Sequence, residues 1–247
     1  MKPAAAAANL ASDTAMDSLH AHAPAAWMQE RRRVLKAFVS SAAGAALMPH
    51  LLADALAQQD KPRSAMIQTL EGDVRINDRP ATVGTAIRPG DTIASGRGSY
   101  AIWTLENDAF LIRQNSRLQI AGLQNTATLF RMVTGKLLSV FQPGGARTLT
   151  ASTATIGIRG TGCYLEANRD HAYFCLCYGA ADIESRGGMK ESMQSRYHES
   201  PRMIFGDNRR TPMTGGPIKN HSDAELIMLE ALVGRKPPQT FLDNVRY

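Results

Sequence analysis

The sequence predicts a mainly β fold: a twisted or rolled sheet, then an irregular C-terminal segment and one short helix. Three observations carry this reading. Between residues 64 and 185, apolar and polar side chains alternate in short runs, the period of two that marks half-buried strands. Clusters of turn residues separate the runs. No 3.6-residue apolar repeat interrupts them, so about ten strands follow one another without a crossover helix.

The first run covers 66–70, and others follow over 100–105, 110–113, 128–133 and 136–141. Glu71-Gly72-Asp73, Pro89-Gly90-Asp91, Gly96-Arg97-Gly98, Glu106-Asn107-Asp108 and Pro143-Gly144-Gly145 supply the turns between them. Runs 162–167 and 173–178 flank Asn168-Arg169-Asp170-His171, which reads as a hairpin connection. The β unit therefore spans 65–185. Residues 186–220 lose the alternation and read as irregular. A helix is predicted over 223–233: Ser222 and Glu225 form a capping box, and Leu226, Leu229 and Val233 make a stripe suited to packing on the β unit. Gly234 and the Pro237-Pro238 pair end it.

The N-terminal 57 residues read as a separate signal region. Arg31, Arg32, Leu35 and Lys36 open an apolar stretch that closes on Ala55-Leu56-Ala57, a small-x-small cleavage pattern. This resembles a twin-arginine export signal, the route that carries folded and often cofactor-loaded proteins. It implies the periplasm of a Gram-negative bacterium. The stretch is shorter than the ~20 residues a membrane span needs and contains Pro49, His50 and Asp54. Met28 precedes the arginines and is a candidate start.

Charge excludes one class of partner. Of 28 Lys and Arg, five lie in 1–57, and of 22 Asp and Glu, four do, so the remainder carries 23 against 18. That mild excess is scattered, without the basic stripe or motif that nucleic acid requires. No apolar run after residue 57 is long enough to span a membrane.

The order of turns and strands resembles the FecR domain family. The matching pieces are Gly72-Asp73-Val74, then Gly90-Asp91-Thr92-Ile93 leading to Gly96-Arg97-Gly98-Ser99-Tyr100-Ala101. Asn115-Ser116-Arg117-Leu118, Gly135-Lys136-Leu137 and the strand 150–158 closed by Arg159-Gly160-Thr161 complete the series. The likeness covers 65–185. It implies an extracytoplasmic, solenoid-like sheet that contacts a periplasmic or envelope protein, in some members to relay a signal to a sigma factor. Those members carry a cytoplasmic helical domain and a membrane helix before the sheet, which residues 1–30 do not resemble. Gly157, Gly160 and Gly162 read as bulge or close-approach positions, and Asp91 as a side-chain turn cap.

All three cysteines fall between 163 and 177. Cys175 and Cys177 stand two apart on one strand, so both thiols share a face. A bridge between them is strained, whereas two thiolates on one face suit a soft metal. With His198 and His221 they make a candidate Cys2His2 set for one zinc, copper or iron ion, although the spacing is no known finger. The place of Cys163 depends on register. A two-residue turn at Arg169-Asp170 sets it opposite Leu176 on the other face; an odd loop or bulge sets it opposite Cys175 or Cys177, where a disulfide is available.

Catalytic patterns are sparse. The chain has no Gly-x-Ser-x-Gly elbow, His-Glu-x-x-His pair or P-loop, and a Cys177–His198 nucleophile pair would sit on a strand rather than a turn. The expectation is a non-enzymatic periplasmic binding module. The alternatives are a metal-binding or redox protein built on the Cys-x-Cys strand and a membrane-anchored sigma-factor regulator.

Overall fold

Phe110, Leu111 and Ile112 follow one another with no polar residue between them, and all three are buried. A strand with both faces apolar needs cover on both sides, and the architecture supplies it. The computed structural model describes residues 65–124, 127–206 and 210–245. The export-signal residues Arg31, Arg32, Leu35, Lys36, Ala55 and Ala57, with Met28, lie outside them.

Among the described residues, fourteen strands form one hydrogen-bonded sheet. They are β1 (Met66–Glu71), β2 (Val74–Ile76), β3 (Arg79–Pro80), β4 (Thr92–Ser95), β5 (Tyr100–Leu105), β6 (Asp108–Ile112) and β7 (Ser116–Gln124). Then come β8 (Ala127–Val140), β9 (Arg147–Thr150), β10 (Ala154–Ala167), β11 (His171–Ser185), β12 (Lys190–Ser195), β13 (Arg202–Phe205) and β14 (Met213–Gly215). Helices α1 (Asp223–Leu232) and α2 (Gln239–Leu242) follow.

Two long strands make the sheet roll. Along one edge β8 pairs first with β7 and then with β6; along the other it runs parallel to β9 and then antiparallel to β10. The side chains on the inner face meet in one core. Trp103, Phe110, Phe130 and Phe141 pack there, with Trp103 stacked on Phe110 at 5.1 Å and Phe110 4.9 Å from Phe130.

The β10–β11 hairpin resolves the register question. Asn168 N–H donates to the His171 carbonyl, Ala167 faces Ala172, and Cys163 faces Leu176. Cys163 joins the main core with Leu165, Phe174 and Leu176. The disulfide considered between Cys163 and Cys175 or Cys177 is therefore corrected: the strand pleat sends Cys163 to the opposite face, and all three thiols are free.

A second correction concerns 186–220. This stretch contains β12, β13 and β14, and β12 and β13 both pair with β11. The sheet thus continues past 185 without a boundary. The missing alternation has a simple cause: the inward positions of β12 are Glu191, Met193 and Ser195, of which only Met193 is apolar. Helix α1 has the predicted capping box, with Ser222 accepting from Glu225 N–H, and buries Leu226 and Leu229. It lies over β6 and β8, where Leu111 and Leu138 are buried outside the main core. No helix among the described residues is long and apolar enough to cross a membrane.

Candidate metal centre

The pleat of β11 puts Tyr173, Cys175 and Cys177 on the face opposite the main core. The outer edge of β11 pairs with β13 over His171–Phe174 and with β12 over Gly179–Glu184. Residues 175–178 between them have no strand partner on that edge. The chain must cross this gap to pass from β12 to β13, so the 196–201 loop lies along it. His198 N–H donates to the Cys177 carbonyl at 2.8 Å, and His198 sits in the left-handed region at φ +49°. A β11-bound loop thus delivers a histidine beside two cysteines.

The fourth residue arrives from the segment ahead of α1. Glu166, on the same face of β10, pairs with Lys219 Nζ at 2.9 Å and accepts from Asn220 Nδ2 and from the Tyr164 hydroxyl. These contacts place His221, whose ring stacks on Tyr164 at 4.7 Å. Burial favours a raised pKa for Glu166, but Asn220, Lys219 and Tyr164 outweigh it and hold the carboxyl below its ordinary value. Asn220 is also left-handed, at φ +59°.

Cys175, Cys177, His198 and His221 are all buried, and one ligand atom from each lies within 4.8 Å of the other three. Cys175 Sγ is 3.6 Å from His198 Nδ1, and His198 Nδ1 is 3.1 Å from His221 Nε2. Tetrahedral zinc with ordinary bond lengths requires about 3.3 Å between two nitrogens and about 3.6 Å between sulfur and nitrogen. The observed separations are close to both.

Hydrogen bonding assigns the tautomers. His221 Nδ1 is 2.7 Å from the Lys219 carbonyl, which can only accept, so Nδ1 carries the proton. His198 Nε2 is 2.9 Å from Asp223 Oδ1 and donates to that carboxylate. Each ring is left with a lone pair on its remaining nitrogen, and these two nitrogens are the pair 3.1 Å apart. Two lone pairs in contact repel; a cation between them, a proton or a metal, removes the conflict. The two thiols shift in opposite directions. The hydrogen bond from Cys177, then those from His198 and His221, lower the Cys175 pKa against its burial. Burial, then the hydrogen bond with Cys175 and its charge, raise that of Cys177. For His198, burial is opposed and outweighed by Cys175 and Asp223, so its pKa rises. Metal binding requires both sulfurs as thiolates and so displaces the thiol protons.

The other predicted residues serve the backbone. Gly90 N–H donates to Ile120 O, and the Asp91 carboxylate accepts from Arg88 N–H and Asn77. Gly96 N–H bonds Asp73 O, and the Ser116 hydroxyl accepts from Lys136 N–H at 2.9 Å. Arg159 pairs with Asp182 across the hairpin, and the Thr161 carbonyl accepts from Phe141 N–H. His171, on the hairpin turn, contacts Asp170 and Asn168 and stands apart from the centre. Sequence reasoning missed Asp223, Tyr164 and Glu166. Asp223 shows there only as an acid in the first turn of a helix, where it suits the dipole.

No protein-family model matches the chain, and no curated protein does. Its fold is similar to two crystal structures described as a "putative anti-sigma factor" from Parabacteroides distasonis. One has TM-score 0.45 and 10% identity over 55% of this chain and 63% of the other; the second has TM-score 0.44 and 10% identity over 52% and 60%. The chain thus spans about three-fifths of the length of these neighbours.

Proposed function

We propose that this protein is an exported, non-enzymatic binding module of the bacterial envelope that holds one zinc ion at Cys175, Cys177, His198 and His221. The observation that carries the metal reading is the pair of opposed imidazole lone pairs 3.1 Å apart beside two buried cysteine sulfurs. The donor set of two sulfurs and two nitrogens favours zinc, with iron second; copper would accept it with poorer geometry. Four protein ligands leave no open position for substrate, the mark of a structural rather than a catalytic centre. Second partners on both histidines, Asp223 and the Lys219 carbonyl, are what metal-bearing imidazoles ordinarily have. Export and the envelope location rest on the twin-arginine-like segment at Arg31 and Arg32, and the binding role on the FecR-like order of turns.

The test is metal analysis of the full chain purified from the periplasm. One equivalent of zinc per chain is expected, absent in Cys175→Ser. Cobalt substitution should give the strong visible absorption of tetrahedral sulfur–nitrogen coordination. A folded chain that contains no metal and takes up none from micromolar zinc would sink this reading.

A further inference from the structure

Two separate layers cover the two faces of β10 and β11. The inner face belongs to the main core, to which residues 217–245 contribute nothing. The outer face is covered by those residues, and much of that contact is polar. The Tyr173 hydroxyl donates to the Pro217 carbonyl at 2.7 Å, Tyr178 donates to Glu230 at 2.6 Å, and Arg113 pairs with Glu225 at 2.7 Å. Glu166 gathers Lys219 and Asn220. Leu226, Leu229, Val233 and Phe241 supply the buried aliphatic and aromatic area. Such a polar contact has the character of a separable interface rather than a core.

The four-residue centre lies across that interface. Cys175 and Cys177 belong to β11, and His198 is tied to β11 through the Cys177 carbonyl. His221 alone of the four belongs to the covering segment. An ion held by all four would cross-link the sheet-bound Cys175, Cys177 and His198 to the covering segment through His221. Without that cross-link the segment keeps only the polar contacts above and its few buried side chains. Resting on the metal reading above, we propose that the ion is a latch. When it is bound, residues 217–245 lie on the sheet; when it is removed, they detach as a unit and expose the Tyr164–Tyr173–Tyr178 face, while the main core stays folded. A binding module built this way presents that face according to its metal content.

Hydrogen exchange on the full chain, zinc-loaded and EDTA-stripped, tests the latch. Stripping should speed exchange in 217–245 on the order of tenfold or more and leave β4 and β7, away from the covering helix, unchanged. His221→Ala should show the open pattern even with zinc present, and His171→Ala the closed one. If the chain neither retains nor takes up zinc, both the metal reading and the latch fall. If zinc binds but exchange in 217–245 does not respond, the latch falls and the metal reading stands. If stripping speeds exchange equally in β4 and β7, the ion holds the whole fold together, and the latch falls as well.

Discussion

Asp223 shows how much one side chain decides here. Its carboxylate takes His198 Nε2 at 2.9 Å and the Tyr197 hydroxyl at 2.7 Å, and so determines which nitrogen of His198 faces the centre. Asp223→Asn should weaken zinc binding about 10- to 100-fold while the far-ultraviolet spectrum stays the same, as measured by competition with a chromophoric chelator. An unchanged affinity would mean that Asp223 only favours the helix dipole and holds Tyr197. Glu166 gives a pH signature. Its pKa is lowered in the folded chain, so its ionised form adds stability above the unfolded value of about 4.3, and that stability is lost as pH falls through the folded value. Glu166→Gln should therefore lower stability at pH 7 by about 1–3 kcal/mol. The gap to wild type should narrow in urea titrations as pH falls below the unfolded value of about 4.3 and close once it passes below the folded value.

At the scale of elements, the β10–β11 hairpin depends on a bulge. The register shifts between Arg159 and Gly162, where Gly160 has φ +61° and Gly179 has φ +96°. A Cβ on Gly179 would lie 2.5 Å from the Gly160 carbonyl oxygen, and one on Gly160 would lie 2.6 Å from the Pro143 Cα. Gly179→Ala should cost more than about 2 kcal/mol, the left-handed penalty plus a backbone collision. Gly157→Ala, whose added Cβ would meet nothing closer than 3.8 Å, should be near neutral. Urea midpoints separate the two, and equal costs would refute the close-packed bulge. The helix stop and the capping box around α1 were readable directly, because their signals are local: Ser222, Glu225 and Gly234 lie within a few residues of what they control. Strand β13 was not, because its partner β11 is not its neighbour in the chain, and β12, though it forms a hairpin with β11, has only one apolar residue, Met193. Pairing across the sheet, rather than alternation, makes them strands.

For the whole molecule, the continuity of the sheet makes a prediction about its limits. A chain ended at Ser185 would strip β12 and β13 from β11 and leave Cys175, Cys177, Tyr173 and Tyr178 without their cover. That fragment should aggregate on refolding, because it exposes an unpaired strand edge and an apolar face together. A monodisperse fragment in light scattering would restore the boundary that the composition change at 186 suggests.

The sequence by itself determined the β class, the turns that separate the strands, the capped helix and the residue types of the centre. Period-two alternation, turn chemistry and helix caps act over a few residues, and Cys175 and Cys177 share a face by the geometry of any strand. Only the tertiary structure decided that His198 and His221 come to those thiols, that Cys163 does not, and that Asp223 and Glu166 set the site. Each of those outcomes depends on the hairpin register and on the gap left between β12 and β13 along β11. Register and the return of β13 to β11 are set by the burial of whole faces rather than by the preference of any one residue.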